Sequence, residues 1–223
     1  MKRSILLVLV FVVQISFAQI TKNPGDFNRL KVFDRISVTL VPSSENKVEV
    51  SGNRSNEVEI VNNNGELKIR MSLKKLLKGE DINAKVYFRE LKSVEASEGA
   101  IIEGPETMLT QTALEIISKE GSEVRLNLAV KRASIRSVTG GVVKLTGTGD
   151  NMDAKLGTGG ILYAKDFATV QTQVSVTAGG NAEVNASELV DADVKAGGNV
   201  IIFGSPKQID RSTSLGGTIE ERK

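Results

Sequence analysis

Two glutamates hold the chemistry this sequence is best placed to perform. Glu98 and Glu120 each stand one residue before a glycine, Gly99 and Gly121, inside copies of one repeating pattern. Stacked copies would bring the two carboxylates to about 5 Å from each other, and like charges that close shift a pKa. A carboxylate pair of this kind can work on a glycosidic bond or help to hold a calcium ion. The plainer alternative, and the one favoured, is that both side chains swing out to solvent at a corner of the chain. Little else offers reactivity. The sequence has no histidine and no cysteine, which removes the commonest acid-base group and transition-metal ligand and, with them, zinc, haem and thiol chemistry. No cofactor is expected. Gly157-Thr158-Gly159-Gly160 superficially matches a phosphate loop, but such a loop must open a helix, and this stretch returns as a β corner with no helix after it.

The elements that must position those glutamates are the repeats themselves. Between about Val94 and Thr218 an apolar-x-apolar-x-small run meets a glycine corner and leaves as apolar-x-apolar. The corners fall at Gly99, Gly121, Gly140, Gly159, Gly179, Gly197 and Gly216, in steps of 22, 19, 19, 20, 18 and 19 residues. The last five corners carry a second glycine, at Gly141, Gly160, Gly180, Gly198 and Gly217, where the first two have Ala100 and Ser122. A repeat this short, with β alternation on both sides, is one rung of a solenoid, because a single rung buries its apolar face only against its neighbours.

Alignment on the corner gives the same inward positions in every rung. Five residues before it stand Val94, Ile116, Ile135, Ala154, Val174 and Ala192, with Arg211 as the polar exception; three after it stand Ile102, Val124, Val143, Leu162, Ala182, Val200 and Ile219. Side chains alternate faces along a strand, so odd offsets form the interior and even offsets the surface. The expected fold class is all-β: a right-handed parallel β-solenoid (β-helix), a rod on the order of 30 Å long for seven rungs, with glycine at the corner because a sharp reversal needs positive φ.

The even offsets define the outer faces. Before the corner they are polar: Arg136, Asp153, Lys155, Ser175, Thr177 and Asp193. After it, one ladder runs Arg125, Lys144, Tyr163, Glu183, Ile201, and the next Asn127, Thr146, Lys165, Asn185, Phe203. Tyr163, Lys165, Ile201 and Phe203 are therefore the candidate partner contacts. Burying each large apolar one would contribute about 1.5–3 kcal/mol, and exposed apolar clusters mark contact surfaces. The occupant of this face is left open between a partner, a second copy in a homo-oligomer, and the chain's own N-terminal strands or C-terminal tail.

Residues 1–18 have the form of a secretory signal peptide: Lys2 and Arg3, an apolar run from Ile5 to Val13, and Ser16-Phe17-Ala18 at the cleavage site. The run is shorter than the ~20 residues a membrane span needs, so no transmembrane segment is expected after cleavage. The expected location is extracytoplasmic: periplasm, outer surface or medium. Formal net charge is +2, which gives a nucleic-acid partner no electrostatic support. Residues 19–90 show β alternation without the repeat, at Ile36–Leu40, Lys47–Val50, Val58–Ile60, Leu67–Arg70 and Ala84–Phe88. Asn62-Asn63-Asn64-Gly65 has hairpin-turn composition. This segment is expected as antiparallel β structure capping the first rung of a solenoid over 91–223, since an open end would expose apolar surface and unpaired strand edges.

The order Phe33-Asp34-Arg35-Ile36-Ser37-Val38, Lys47–Val50, Asn64-Gly65-Glu66-Leu67-Lys68-Ile69 and Leu91–Ser97, followed by the glycine-cornered repeats, resembles the auto-transporter adhesin "head GIN" domain family of secreted bacterial proteins. The resemblance spans nearly all of the chain beyond the signal peptide. It departs at Thr39-Leu40-Val41-Pro42, where the family carries a small, glycine-rich stretch. It implies a β-helical extracytoplasmic protein with an adhesive role and supplies no catalytic residues. The expected function is a non-enzymatic binding or adhesion module for a cell-surface glycan or protein. The alternative is an extracytoplasmic polysaccharide lyase or hydrolase that uses carboxylates on a solenoid face.

Overall fold

The computed structural model describes residues 20–222; the expected signal peptide lies outside the described residues. The described residues are 66% strand and 3% helix, a β-solenoid of stacked parallel strands. The inward ladders form in the expected register. Val94, Ile116, Ile135, Ala154, Val174, Ala192 and Arg211 are consecutive partners from strand to strand. So are Ile102, Val124, Val143, Leu162, Ala182, Val200 and Ile219. Both ladders are buried apart from the final rung, where Arg211 is exposed and Ile219 only partly buried.

Each turn has one sharp corner and one gentle bend. At the corner both central residues are left-handed: the glycines lie at φ +70° to +86°, and the residues before them, from Glu98 to Leu215, at +49° to +58°. Glycine takes this conformation freely, and its N–H links the rungs, as from Gly121 to the Thr139 carbonyl at 3.1 Å and from Gly140 to that of Thr158 at 3.1 Å. The gentle bend sits within continuous strands such as Glu123–Val138 and Val142–Gly157. There two successive residues point outward, Lys131-Arg132 and Asp150-Asn151, and this slip of one residue turns the strand without breaking its pairing.

The second glycine has a different cause. A Cβ on Gly160 would stand 2.0 Å from the Ser137 carbonyl oxygen of the neighbouring rung, and one on Gly141 2.2 Å from that of Ser118. The two serines are buried inside the corner; Ser137 Oγ donates to the Gly141 carbonyl at 2.6 Å and accepts from the Ile161 N–H at 3.2 Å.

Residues 20–90 contain the expected antiparallel pairings, Ile20–Lys22 with Lys47–Ser51, Lys47–Ser51 with Asn83–Phe88, and Val58–Asn63 with Glu66–Met71. The Asn64-Gly65 turn closes the last of these, with φ +51° and +78°. The segment also extends the parallel stack. Arg29–Val32 and Ser37–Pro42 lie on Ser93–Ala96 and Ile101–Glu103, and Glu66–Met71 and Asn83–Phe88 lie on their other side. Asp34 and Arg35 make the corner here, at φ +60° and +62°, and the Arg35 N–H donates to the Glu98 carbonyl at 3.0 Å, as the Gly99 N–H does to that of Glu120 at 3.0 Å.

Candidate binding groove

The outer ladder after the corner is assembled by the same pairing that builds the core: Glu103, Arg125, Lys144, Tyr163, Glu183, Ile201 and Glu220 are partners in sequence. Its N-terminal half neutralises itself. Arg125 pairs with Glu103 and Glu123, and Lys144 Nζ lies 2.6 Å from the same Glu123 carboxylate. Burial pushes the Glu123 carboxyl up, but hydrogen bonds from Arg125 and Lys144 outweigh it and hold the group below its ordinary range.

The C-terminal half of the ladder is open. Tyr163, 42% exposed, and the half-buried Ile201 flank Glu183, and with residues of the adjoining row they line a groove of about 510 Å³. That row is a stack of polar side chains: Asn199 Nδ2 donates to Asn181 Oδ1 at 2.8 Å, and Thr218 Oγ1 donates to Asn199 Oδ1 at 2.7 Å. Glu220 and Arg222 close the far side, the guanidinium 3.3 Å from the Glu220 carboxylate. Lys144 Nζ lies 6.0 Å from the Tyr163 ring centre. Glu183 is half-buried and, among the described residues, has no ion-pair or hydrogen-bond partner for its carboxylate.

Of the four candidate contacts, Tyr163 and Ile201 meet in this groove. Lys165 is exposed but leaves the expected ladder: Thr146 pairs with Asp166, and the register shifts at this point. The cause is the 20-residue step from Gly159 to Gly179, whose extra residue is absorbed where Lys165 and Asp166 both point outward. Asn185 Nδ2 pins the bulge by donating to the Lys165 carbonyl at 2.7 Å. Phe203 pairs with Asn185 as expected but is half-buried and does not line the groove.

Glu98 and Glu120 lie on adjacent rungs, and a third carboxylate joins them. Asp34, 1% exposed, belongs to the corner one rung earlier and accepts from the Met71 N–H at 2.9 Å and the Leu77 N–H at 2.7 Å. Desolvation, then the charges of Asp34 and Glu120, push the Glu98 carboxyl above its ordinary range. Glu120 accepts a short hydrogen bond from the Ser97 hydroxyl. The three line an open depression of about 730 Å³. Among the described residues no group of three or more acidic, His or Cys side chains is arranged to hold a metal ion. On the face before the corner, Glu95 is tied to Lys31 at 3.3 Å and Lys119 at 2.6 Å, leaving that carboxylate no free charge to offer.

Sequence reasoning missed Asp34 and the Asn181–Asn199–Thr218 stack. The first could have been found from the inward pattern Leu30, Val32, Ile36, Val38, Leu40 around it, which repeats the spacing about Gly99. The second could have been found from the row two residues past each corner.

These features define an all-β solenoid with one stretch of outer ladder hollowed into a groove. More particularly, the chain belongs to the family described as "putative auto-transporter adhesin, head GIN domain", which matches residues 26–206. Its fold is similar to that of a putative adhesin from Bacteroides fragilis NCTC 9343, at a TM-score of 0.85 and 19% identity over 94% of this chain and 98% of that one. It is also similar to a putative lipid binding protein from Parabacteroides distasonis ATCC 8503, at a TM-score of 0.69 and 16% identity over 92% and 96%. A putative adhesin from the same organism matches at 0.66 and 18% over 93% and 97%. At such identities the likeness is one of fold. No curated protein matches the chain. The family's description supports a binding or adhesive role, and among the described residues no helix is long and apolar enough to cross a membrane.

Proposed function

We propose that the chain is a non-enzymatic extracytoplasmic binding module that engages a surface ligand through the groove at Tyr163, Glu183 and Ile201. The observation that carries this reading is the groove itself: an exposed aromatic ring and an unpartnered carboxylate side by side on a rigid ladder, while the charges along the rest of that ladder are largely spent on one another. Large apolar side chains on such a face supply binding energy by leaving water, and a site built on paired strands keeps its geometry without a ligand. Membership of an adhesin family and the expected signal peptide support the same reading. The test is retention of the purified chain on immobilised surface glycans and extracellular proteins. Tyr163→Ser should abolish retention and Ser175→Ala, beyond the bend of the same strand, should leave it unchanged. Equal retention of both variants would defeat the reading.

A second reading, a polysaccharide hydrolase or lyase, draws on Glu98 beside Asp34 and Glu120 in the acidic depression, where burial and the neighbouring charges raise its carboxyl in the direction a general acid needs. Turnover of any polysaccharide that is lost in Glu98→Gln would establish it in place of the first.

A further inference from the structure

Resting on the binding reading, we propose that the groove takes an uncharged, hydroxyl-rich glycan, with sugar rings laid on Tyr163 and Ile201 and their hydroxyls held between the Asn181 and Asn199 amides and the Glu183 carboxylate. The polar stack decides the chemistry. Asn181 and Asn199 each spend Oδ1 as an acceptor within the row, at 2.8 Å and 2.7 Å. One N–H of Asn199 is spent on Asn181, so the row keeps both N–H groups of Asn181 Nδ2 and one of Asn199 Nδ2, which the exposed positions of both residues leave open to a ligand. One step along each strand, Glu183 presents an acceptor with no partner. A site that sets donors beside an acceptor suits a hydroxyl, which is both at once.

Charge and satisfaction exclude the competing occupants. Arg222 is engaged by Glu220 at 3.3 Å, so Glu183 leaves the groove with an uncompensated negative charge. That charge repels uronates, sulfates and phosphates. A lysine or arginine from a protein partner would pair with Glu183, but these cations have no acceptor to give, and the Asn donors they covered would be buried unsatisfied at a cost. A neutral sugar satisfies both rows. Tyr163 and Ile201 stand two rungs apart, roughly 10 Å along the axis at the strand spacing. That distance suits alternate rings of an oligosaccharide lying along the ladder, with one ring between them over Glu183.

Isothermal titration of the full chain tests this with three kinds of probe: neutral oligosaccharides of mannan, xylan and chitin type, the anions polygalacturonate and heparin, and oligolysine. At least one neutral glycan should bind. Tyr163→Ala and Asn181→Asp should each weaken it tenfold or more, and Glu183→Gln only a few-fold, because the amide oxygen still accepts. Tyr163 and Asn181 are exposed, so unchanged circular dichroism checks that loss of binding is not loss of fold. Tighter binding of the anions, or binding of oligolysine that Glu183→Gln abolishes, would overturn the inference. If no saccharide binds but Tyr163→Ala still weakens retention on a protein, the glycan inference falls and the binding reading stands. If Tyr163→Ala changes nothing on any probe, both fall.

Discussion

The double-glycine corner separates two physical demands that neighbouring residues meet for different reasons, so single substitutions should split them. Gly159 has φ +71° and open space around a would-be Cβ, so Gly159→Ala meets backbone strain alone, about 1–2 kcal/mol for a left-handed L-residue. Gly160 carries no such φ. A Cβ there would stand 2.0 Å from the Ser137 carbonyl oxygen and 2.5 Å from its carbon. The obstacle is backbone, so relief requires the rungs to part by about 1.4 Å, the difference between 2.0 Å and the 3.4 Å of ordinary contact. Overpacking of this kind costs about 1–3 kcal/mol. The displacement also strains the 3.2 Å bond from the Ile161 N–H to Ser137 Oγ, worth about 1 kcal/mol. Gly160→Ala should therefore cost about 2–4 kcal/mol, more than Gly159→Ala, and the gain from a stiffer unfolded chain is common to both and cancels. Equilibrium urea unfolding of the two variants and the parent measures the difference. A Gly159→Ala variant as destabilised as Gly160→Ala, or more so, would refute the close-approach explanation of the second glycine.

Other consequences are equally direct. Glu98 has a folded-state pKa raised by burial and by the charges of Asp34 and Glu120. An acid raised on folding contributes stability below its unfolded value and loses it as pH rises through the folded value. Glu98→Gln should therefore raise the melting temperature at pH 7, with the gain lost as pH falls below the ordinary carboxyl value of 4.5; an equal gain on both sides would exclude titration as the cause. Asp34→Asn should cost about 1–3 kcal/mol, because an amide nitrogen would face one of the two N–H groups that the carboxylate now accepts. Hydrogen exchange should then show residues 72–82 opening first, and unchanged protection there would count against Asp34 as the tie of that loop. Tyr163→Ser should leave the unfolding free energy within about 0.5 kcal/mol of the parent, since the ring is 42% exposed; a larger loss would mean that the ring supports the fold.

Much of the solenoid was legible because its pattern is local. Inward residues recur at fixed offsets from a glycine, and the strands then pair in that register from Val94 to Ile219. The polar Arg211 already stood out in the alignment, and in the fold it lies in the final rung, exposed and 3.7 Å from Glu221. The rung around Asp34-Arg35 was not recognised as one because its corner holds no glycine, although its left-handed pair is stabilised by bonds a glycine corner lacks, from Met71 and Leu77 to the Asp34 carboxylate. Its place in the stack is also out of chain order, between strands that come later in the sequence, and a repeat period cannot reveal that. Tyr163 and Ile201 were legible as one ladder, but Lys165 was misplaced because a one-residue insertion shows in the spacing without showing where the bulge absorbs it. The Asn181–Asn199–Thr218 stack was obscured because an outward amide in an alternating strand looks like any other solvated polar residue until its neighbour is known.

The most direct measurement of the central claim is a map of backbone amide shifts in the isotope-labelled chain as the best-retained ligand of the panel is added. Binding in the groove predicts perturbations in three short stretches a rung apart, residues 161–163, 181–183 and 199–201, with little change elsewhere. Shifts concentrated at 153–155, 173–175 and 191–193, or around Glu98 and Glu120, would contradict it.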